Sequence, residues 1–173
     1  MIGSMRFFIC AALAAASLAA CNPTFNWRDV RPDGTRLALL MPCKPDKAQR
    51  TVPLAGQPTE LNLLSCDAGD VTFAITVADV NDVLKADIAL AQWQTATLAH
   101  IKALPADGAT LKLPALSRSA FVVKATGQRP NGQPVSSQAA YFAQGSQIFQ
   151  AVMYADKIAP DVADTFFSGL KFE

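Results

Sequence analysis

The chain reads as an α+β domain: an antiparallel sheet with one long helix packed on it and a short C-terminal helix. Three observations lead there. Short runs with period-two alternation lie on both sides of a single long helical stretch. Turns built from Gly, Pro and Asn join neighbouring runs closely enough to make hairpins. A second, shorter helical stretch closes the chain. Strands that come in runs, with one helix interrupting them, favour antiparallel pairing over repeated βαβ units.

Taken in order, Arg36 to Met41 is a short apolar run closed by Pro42, and reads as a strand. Lys44 to Lys47 is a turn, and Arg50 to Leu54 is a second short strand. Ala55 to Pro58 turns the chain again. Glu60 to Cys66 alternates, with Leu61 and Leu63 on one side, and Asp67 to Gly69 forms a turn. Val71 to Val77 alternates more strongly, with Val71, Phe73, Ile75 and Val77 facing one way. These last two strands form a hairpin.

Asn81 and Asp82 can cap a helix from about Val83 to Ala103. Leu84, Ile88, Ala91, Thr95 and Leu98 follow its period, and Leu90, Trp93, Thr97 and Ile101 widen the stripe. Pro105 and Gly108 are read as its end. Thr110 to Leu113 and Phe121 to Thr126 are strand candidates. Asn131-Gly132, within Arg129 to Pro134, suits the positive φ angles of a type I′ hairpin turn. Val135 to Ala143 and Gln147 to Tyr154 follow as strands, and a helix runs from Ala159 to about Leu170.

The N-terminus carries an address. Residues 1–20 have the form of a signal peptide, with Arg6 as the positive region and Phe7 to Ala20 as the apolar one. That apolar run is 14 residues, short for a membrane span and mostly Ala. It ends Leu18-Ala19-Ala20-Cys21, which resembles the bacterial lipobox. By that resemblance the Cys21 thiol accepts a diacylglycerol and Cys21 becomes residue one, and several acyl chains anchor firmly where one is marginal. The alternative is an ordinary signal cut at an Ala-x-Ala-like site. Asn22 in place of Asp, by resemblance to known sorting rules, favours the outer membrane. Residues 21–35, polar and holding Pro23, Pro32 and Asp33-Gly34, read as anchor and tether. Residues 36–173 read as a single domain. Phe25 and Trp27 suggest that the middle of the tether packs onto that domain.

Of the four cysteines, Cys10 leaves with the leader and Cys21 takes the lipid. Cys43 and Cys66 remain as a pair in an oxidising compartment, and a disulfide is expected between them. It closes about 24 residues, for which chain entropy predicts about 3 kcal/mol. Two buried free thiols are the alternative.

With Arg6 in the leader, the remainder holds 14 basic and 14 acidic residues. A neutral chain without a basic run has no field to gather nucleic acid. His100 is the sole histidine, and no Gly-x-Ser-x-Gly elbow accompanies it. Asp67, Asp70, Asp79, Asp82 and Asp87 are dense, but their spacing fits turns and a helix cap better than a calcium loop. No Gly-rich phosphate loop occurs. Neither metal nor cofactor is expected, and the chain does not read as an enzyme. Phe25, Trp27 and Trp93 are candidate interface residues, with core as the commoner role for such side chains.

Phe25 to Gly34, then Met41-Pro-Cys-Lys-Pro45 and Ser65-Cys66, resemble a group of uncharacterised Gram-negative envelope proteins. Tyr141-Phe142, Ile148 to Ala151 and Ala163 to Leu170 do so as well. The order of elements is also similar to the PsbP-like fold, named for an extrinsic subunit of photosystem II. That fold flanks a sheet with a long helix and a C-terminal helix carrying an aromatic-Ser signature. Its members mainly dock onto other proteins, so the resemblance implies a binding or assembly role and supplies no catalytic residues. The expected function is therefore a protein-binding or assembly lipoprotein facing the periplasm, with an envelope protein as partner. The alternative is a carrier of a small ligand or lipid, which needs an apolar cavity between the sheet and the long helix.

Overall fold

A computed structural model describes residues 23–103, 105–111 and 120–173. The leader 1–20 and the lipidation site Cys21 lie outside the described residues, as does the end of the strand expected over Thr110 to Leu113.

The strands are β1 (Arg28–Val30), β2 (Leu37–Met41), β3 (Asp46–Leu54), β4 (Gln57–Ala68) and β5 (Val71–Asp79). After helix α1 (Ala86–His100) come β6 (Pro105–Leu111), β7 (Ala120–Gln128), β8 (Pro134–Gln144) and β9 (Gln147–Ala155). Helix α2 (Pro160–Ser168) and the short β10 (Lys171–Phe172) close the chain. The strands form a seven-stranded sheet of order β3-β4-β5-β9-β8-β7-β6 and a three-stranded one of order β1-β2-β10. All their pairings are antiparallel. The expected combination of antiparallel sheet, one long helix and a short C-terminal helix is thus present, with sheet dominating.

Period-two alternation sorts the large sheet into two apolar faces, each needing its own cover. On the first face, Phe73, Ile75, Phe149 and Met153 are fully buried beneath Leu37, Leu39 and Met41 of β2 and Phe166 of α2. Phe73 meets Phe166 edge-to-face at 5.4 Å, an arrangement that suits the ring quadrupoles. Cys43, just beyond β2, is disulfide-bonded to Cys66 of β4, so the bridge ties the small sheet's cover to the large sheet. Phe25 and Trp27 pack partly buried against this core, each edge-on to Phe73. The segment read as tether also supplies β1, which pairs with β2, so the folded part begins before Arg36.

The second face is lined by Ala74, Ala78, Ala139 and Ala143 with Val123, Ile148 and Val152, and α1 lies on it. Small side chains let the helix backbone come close. Ala86, Ala89 and Trp93 are its buried residues. This corrects the expected phase of the helix. Leu84 and Ile88 headed the predicted stripe but are 87% and 57% exposed. The accompanying set, with Trp93 and Ile101 buried, is the one that faces the sheet. The alanine floor decides this, because Ala86 and Ala89 fit against it where Leu and Ile would hold the helix away.

Other boundaries also move. Val83–Lys85 forms a 3-10 turn capped by Asp82, whose carboxylate accepts the Leu84 N–H at 2.9 Å. Pro105 and Gly108, read as helix breakers, lie within β6. At the β7–β8 turn only Gly132 has positive φ, at 84°, which rules out a type I′ turn. Gly132 instead donates its N–H to the Arg129 carbonyl at 2.9 Å around Pro130 and Asn131. Pro130 at the second turn position presets that bend.

A cleft between the long helix and the sheet

Helix α1 covers the β8–β9 side of its face and leaves β4 and β5 partly open. The result is a cleft of about 590 Å³, within the range of small-molecule sites. Leu61, Leu63 and Ser65 of β4 and Thr72, Ala74 and Thr76 of β5 form its floor, continued by Gln150, Val152 and Tyr154 of β9. Trp93, Ala96, Thr97 and His100 of α1 form one wall. Ala48 to Arg50 of β3 form the other, and Gln128 to Pro130 cross the end.

Two contacts set the helix in place beside this opening. The Ala55 N–H donates to Gln92 Oε1 at 2.8 Å, holding α1 to the β3–β4 turn. At the opposite end the Gln128 N–H donates to the Ile101 carbonyl at 2.7 Å. Between helix and floor lies a small polar network. Gln150, only 6% exposed, donates from Nε2 to Thr97 Oγ1 at 2.8 Å and to the Tyr141 hydroxyl at 3.0 Å. Thr97 in turn donates to the Trp93 carbonyl at 2.9 Å. Among the described residues no buried side-chain polar atom lacks a partner. A network so satisfied fixes the helix in register on the sheet.

Burial raises the Tyr154 hydroxyl to about 12, with nearby Tyr141 adding to the shift. Burial also pushes Tyr141 up, partly offset by hydrogen bonds to Thr97 and Gln150. Both phenols therefore stay neutral across the physiological range. Besides the neutral Tyr154 phenol, the ionisable lining side chains are Arg50, Arg129 and His100, and among the described residues no Asp or Glu lines the cleft. Arg129 bonds Asp156 at the rim at 3.0 Å, whereas Arg50 has no carboxylate in salt-bridge range among the described residues.

The residues singled out from the sequence are distributed across the fold. Cys43, Cys66, Phe25 and Trp27 belong to the other face of the sheet, and Trp93 alone of the candidate aromatic trio lines the cleft. His100 stands exposed on the cleft wall. The aspartates serve local structure: Asp79 accepts the Asn81 N–H, Asp82 caps the 3-10 turn, and Asp67 accepts from Thr72 Oγ1 at 2.6 Å. No cluster of three or more His, Cys, Asp or Glu suited to a metal occurs among the described residues. Sequence reasoning missed Arg50, Gln150, Tyr154 and Arg129. A signal was present: one side of the β4–β5 hairpin carries Ser65, Thr72 and Thr76 where the other carries Val71, Phe73 and Ile75. Small and polar residues on the second face mark a floor left without a tight apolar cover.

No protein-family model matches the sequence, and no curated protein matches it. Among solved structures, a crystal structure from Bacteroides thetaiotaomicron VPI-5482 superposes with a TM-score of 0.47 at 12% identity. The superposition covers 79% of this chain and 45% of that one, so this chain spans less than half its length.

Proposed function

We propose that this chain is an envelope lipoprotein, anchored at Cys21, whose folded domain works by binding a ligand in the cleft beside α1. The single observation that carries the binding role is the cleft of about 590 Å³ at the seam between helix and sheet. A carrier needs an opening in that position, and its floor is apolar at Leu61, Leu63, Ala74 and Val152. Its rim is polar, which suits a ligand with an apolar body and a polar end. The anchor rests on Arg6, the apolar run to Ala20 and the Leu18 to Cys21 motif. The Cys43–Cys66 bridge accords with an oxidising compartment outside the cytoplasm. The outer membrane and a domain facing the periplasm belong to the same proposal, as does the likeness to the PsbP-like fold, which the order of elements supports.

The test is mass spectrometry of the protein isolated from envelopes under native conditions. The expected result is a co-purifying small molecule that Trp93→Ala releases. Empty protein, still able to be crosslinked to one envelope protein, would move the weight to the second reading. That reading is a docking or assembly role, and one observation favours it. Val83, Leu84 and Ile88 point their apolar side chains outward, at 53%, 87% and 57% exposure.

A further inference from the structure

We propose that the cleft binds an anionic amphiphile, an acyl chain ending in a carboxylate or phosphate, which it takes up at the membrane-anchored end of the domain. The inference rests on the cleft being a binding site and adds the class of ligand and the direction of entry.

Charge gives the class. The ionisable side chains on the lining are Arg50, Arg129, His100 and the neutral phenol of Tyr154. Asp156 offsets Arg129 at the rim, whereas Asp46 and Asp67, the latter bonded to the uncharged Thr72 hydroxyl, keep their negative charge toward the Gly69 end of β3 and β4, away from Arg50 opposite Leu61. Arg50 retains an uncompensated positive charge on the β3 wall, beside the apolar floor of Leu61 and Leu63. Hydroxyl groups of Ser65, Thr76 and Tyr154 line the same cleft, while the Thr72 proton is given to Asp67. An apolar floor beneath cationic and hydroxyl donors complements an anionic head on a hydrocarbon body.

Topology gives the direction. Thr72 and its cross-strand partner Tyr154 lie at the end of the sheet that carries the Gly69 turn. At that turn Phe25 and Thr24 approach so closely that a Cβ on residue 69 would stand 2.7 Å and 2.9 Å from their side chains. Thr24 follows Cys21 by three residues, a reach of at most about 11 Å. An acylated Cys21 therefore holds this end of the sheet against the bilayer. His100, at the end of α1, and Arg129, in the β7–β8 turn, lie at the same end, since α1 runs antiparallel to β5. The exposed Leu84 belongs to the opposite end, beyond the last residue of β5.

The experiment uses the full chain exported behind a cleavable leader with Cys21→Ser, which removes the thiol proposed to carry the lipid. Tetradecanoate, tetradecanol, lysophosphatidate and lysophosphatidylcholine are titrated by calorimetry below their micelle concentrations. The two anionic probes are expected to bind at least about tenfold more tightly than their uncharged or zwitterionic counterparts, the worth of one charge-assisted contact. Arg50→Gln should erase most of that preference, whereas Lys44→Gln, outside the cleft, should leave it intact. Preference for tetradecanoate over lysophosphatidate would identify a free fatty acid as the source, and the reverse a phospholipid. Equal binding of tetradecanol and tetradecanoate would overturn the anionic class while leaving the cleft a binding site. No binding of any probe, with empty protein from envelopes, would overturn both. Direction is read with the lipidated protein in vesicles holding photoreactive tetradecanoate. Crosslinks at Thr72 or His100 are expected, and crosslinks confined to Leu84 and Ile88 would refute entry at the anchored end.

Discussion

The Ile101 carbonyl occupies the space that a side chain on Gly127 would need: a Cβ there would stand 2.0 Å from the oxygen. Gly127 is thus required for a close approach of two backbones. That approach lets Gln128 bond the Ile101 carbonyl and lock the end of α1 over β7. Gly127→Ala is expected to push the helix end away and destabilise the domain by about 2–4 kcal/mol, as overpacking against immovable backbone does. Chemical denaturation would read this as a lower midpoint, and any ligand affinity of the cleft should fall with it.

Gln150 binds helix to sheet by a different means. Gln150→Leu removes the donor shared by Thr97 and Tyr141 and leaves the Tyr141 hydroxyl buried with one partner fewer. A cost of about 1–3 kcal/mol is expected from that desolvated group. Adding Tyr141→Phe should recover part of it, which a double-mutant cycle would measure.

Tyr154 predicts an alkaline limit. The folded phenol titrates at about 12, against 10.0 for the ordinary group. Its proton is held more tightly when folded, so its contribution to stability is complete below about pH 10 and is lost as the pH rises towards 12. Tyr141 is shifted in the same direction and adds to the effect. Thermal unfolding followed from pH 8 to 12 should show a falling midpoint, and Tyr154→Phe should flatten the fall.

The outward apolar side chains of the 3-10 turn and the start of α1 contrast with the helix's buried side. Leu84→Asp and Ile88→Asp should change stability by no more than about 0.5 kcal/mol, as exposed substitutions do. Ala89→Asp, at a position with 0% exposure against the sheet, should prevent folding or cost about 4 kcal/mol or more. Circular dichroism melts of the three variants check the observed phase of the helix against the expected one.

Loss of the bridge should be costly too. Replacing both Cys43 and Cys66 by Ala avoids a stray thiol and is expected to remove about 3 kcal/mol, most of it through the unfolded chain. The size of the denaturation midpoint shift, relative to the oxidised protein, is the measurement.

Strand and hairpin positions were legible in the sequence because they depend on neighbours a few residues apart. Val71 to Val77 alternates with the period of a strand, and the turns at Gly56, Gly69 and Gly145 carry residues tolerant of positive φ. The cysteine pair was legible by the same kind of reasoning, from count and compartment. Helix α1 shows where that reasoning stops. Apolar residues occur around its whole circumference, so periodicity offers two stripes, Leu84 with Ile88 or Trp93 with Ile101, and no local rule chooses between them.

The sequence by itself determined the α+β class, most strand positions and the two cysteines that pair. Only the tertiary structure decided which stripe of α1 is buried, since that depends on the alanine floor contributed by β5 and β8. It alone brought Arg50, Trp93, Arg129 and Tyr154 around one cleft, from β3, α1, the β7–β8 turn and β9. Sheet order and helix packing set such groupings through contacts between residues far apart in the chain, and those leave little trace in any local pattern.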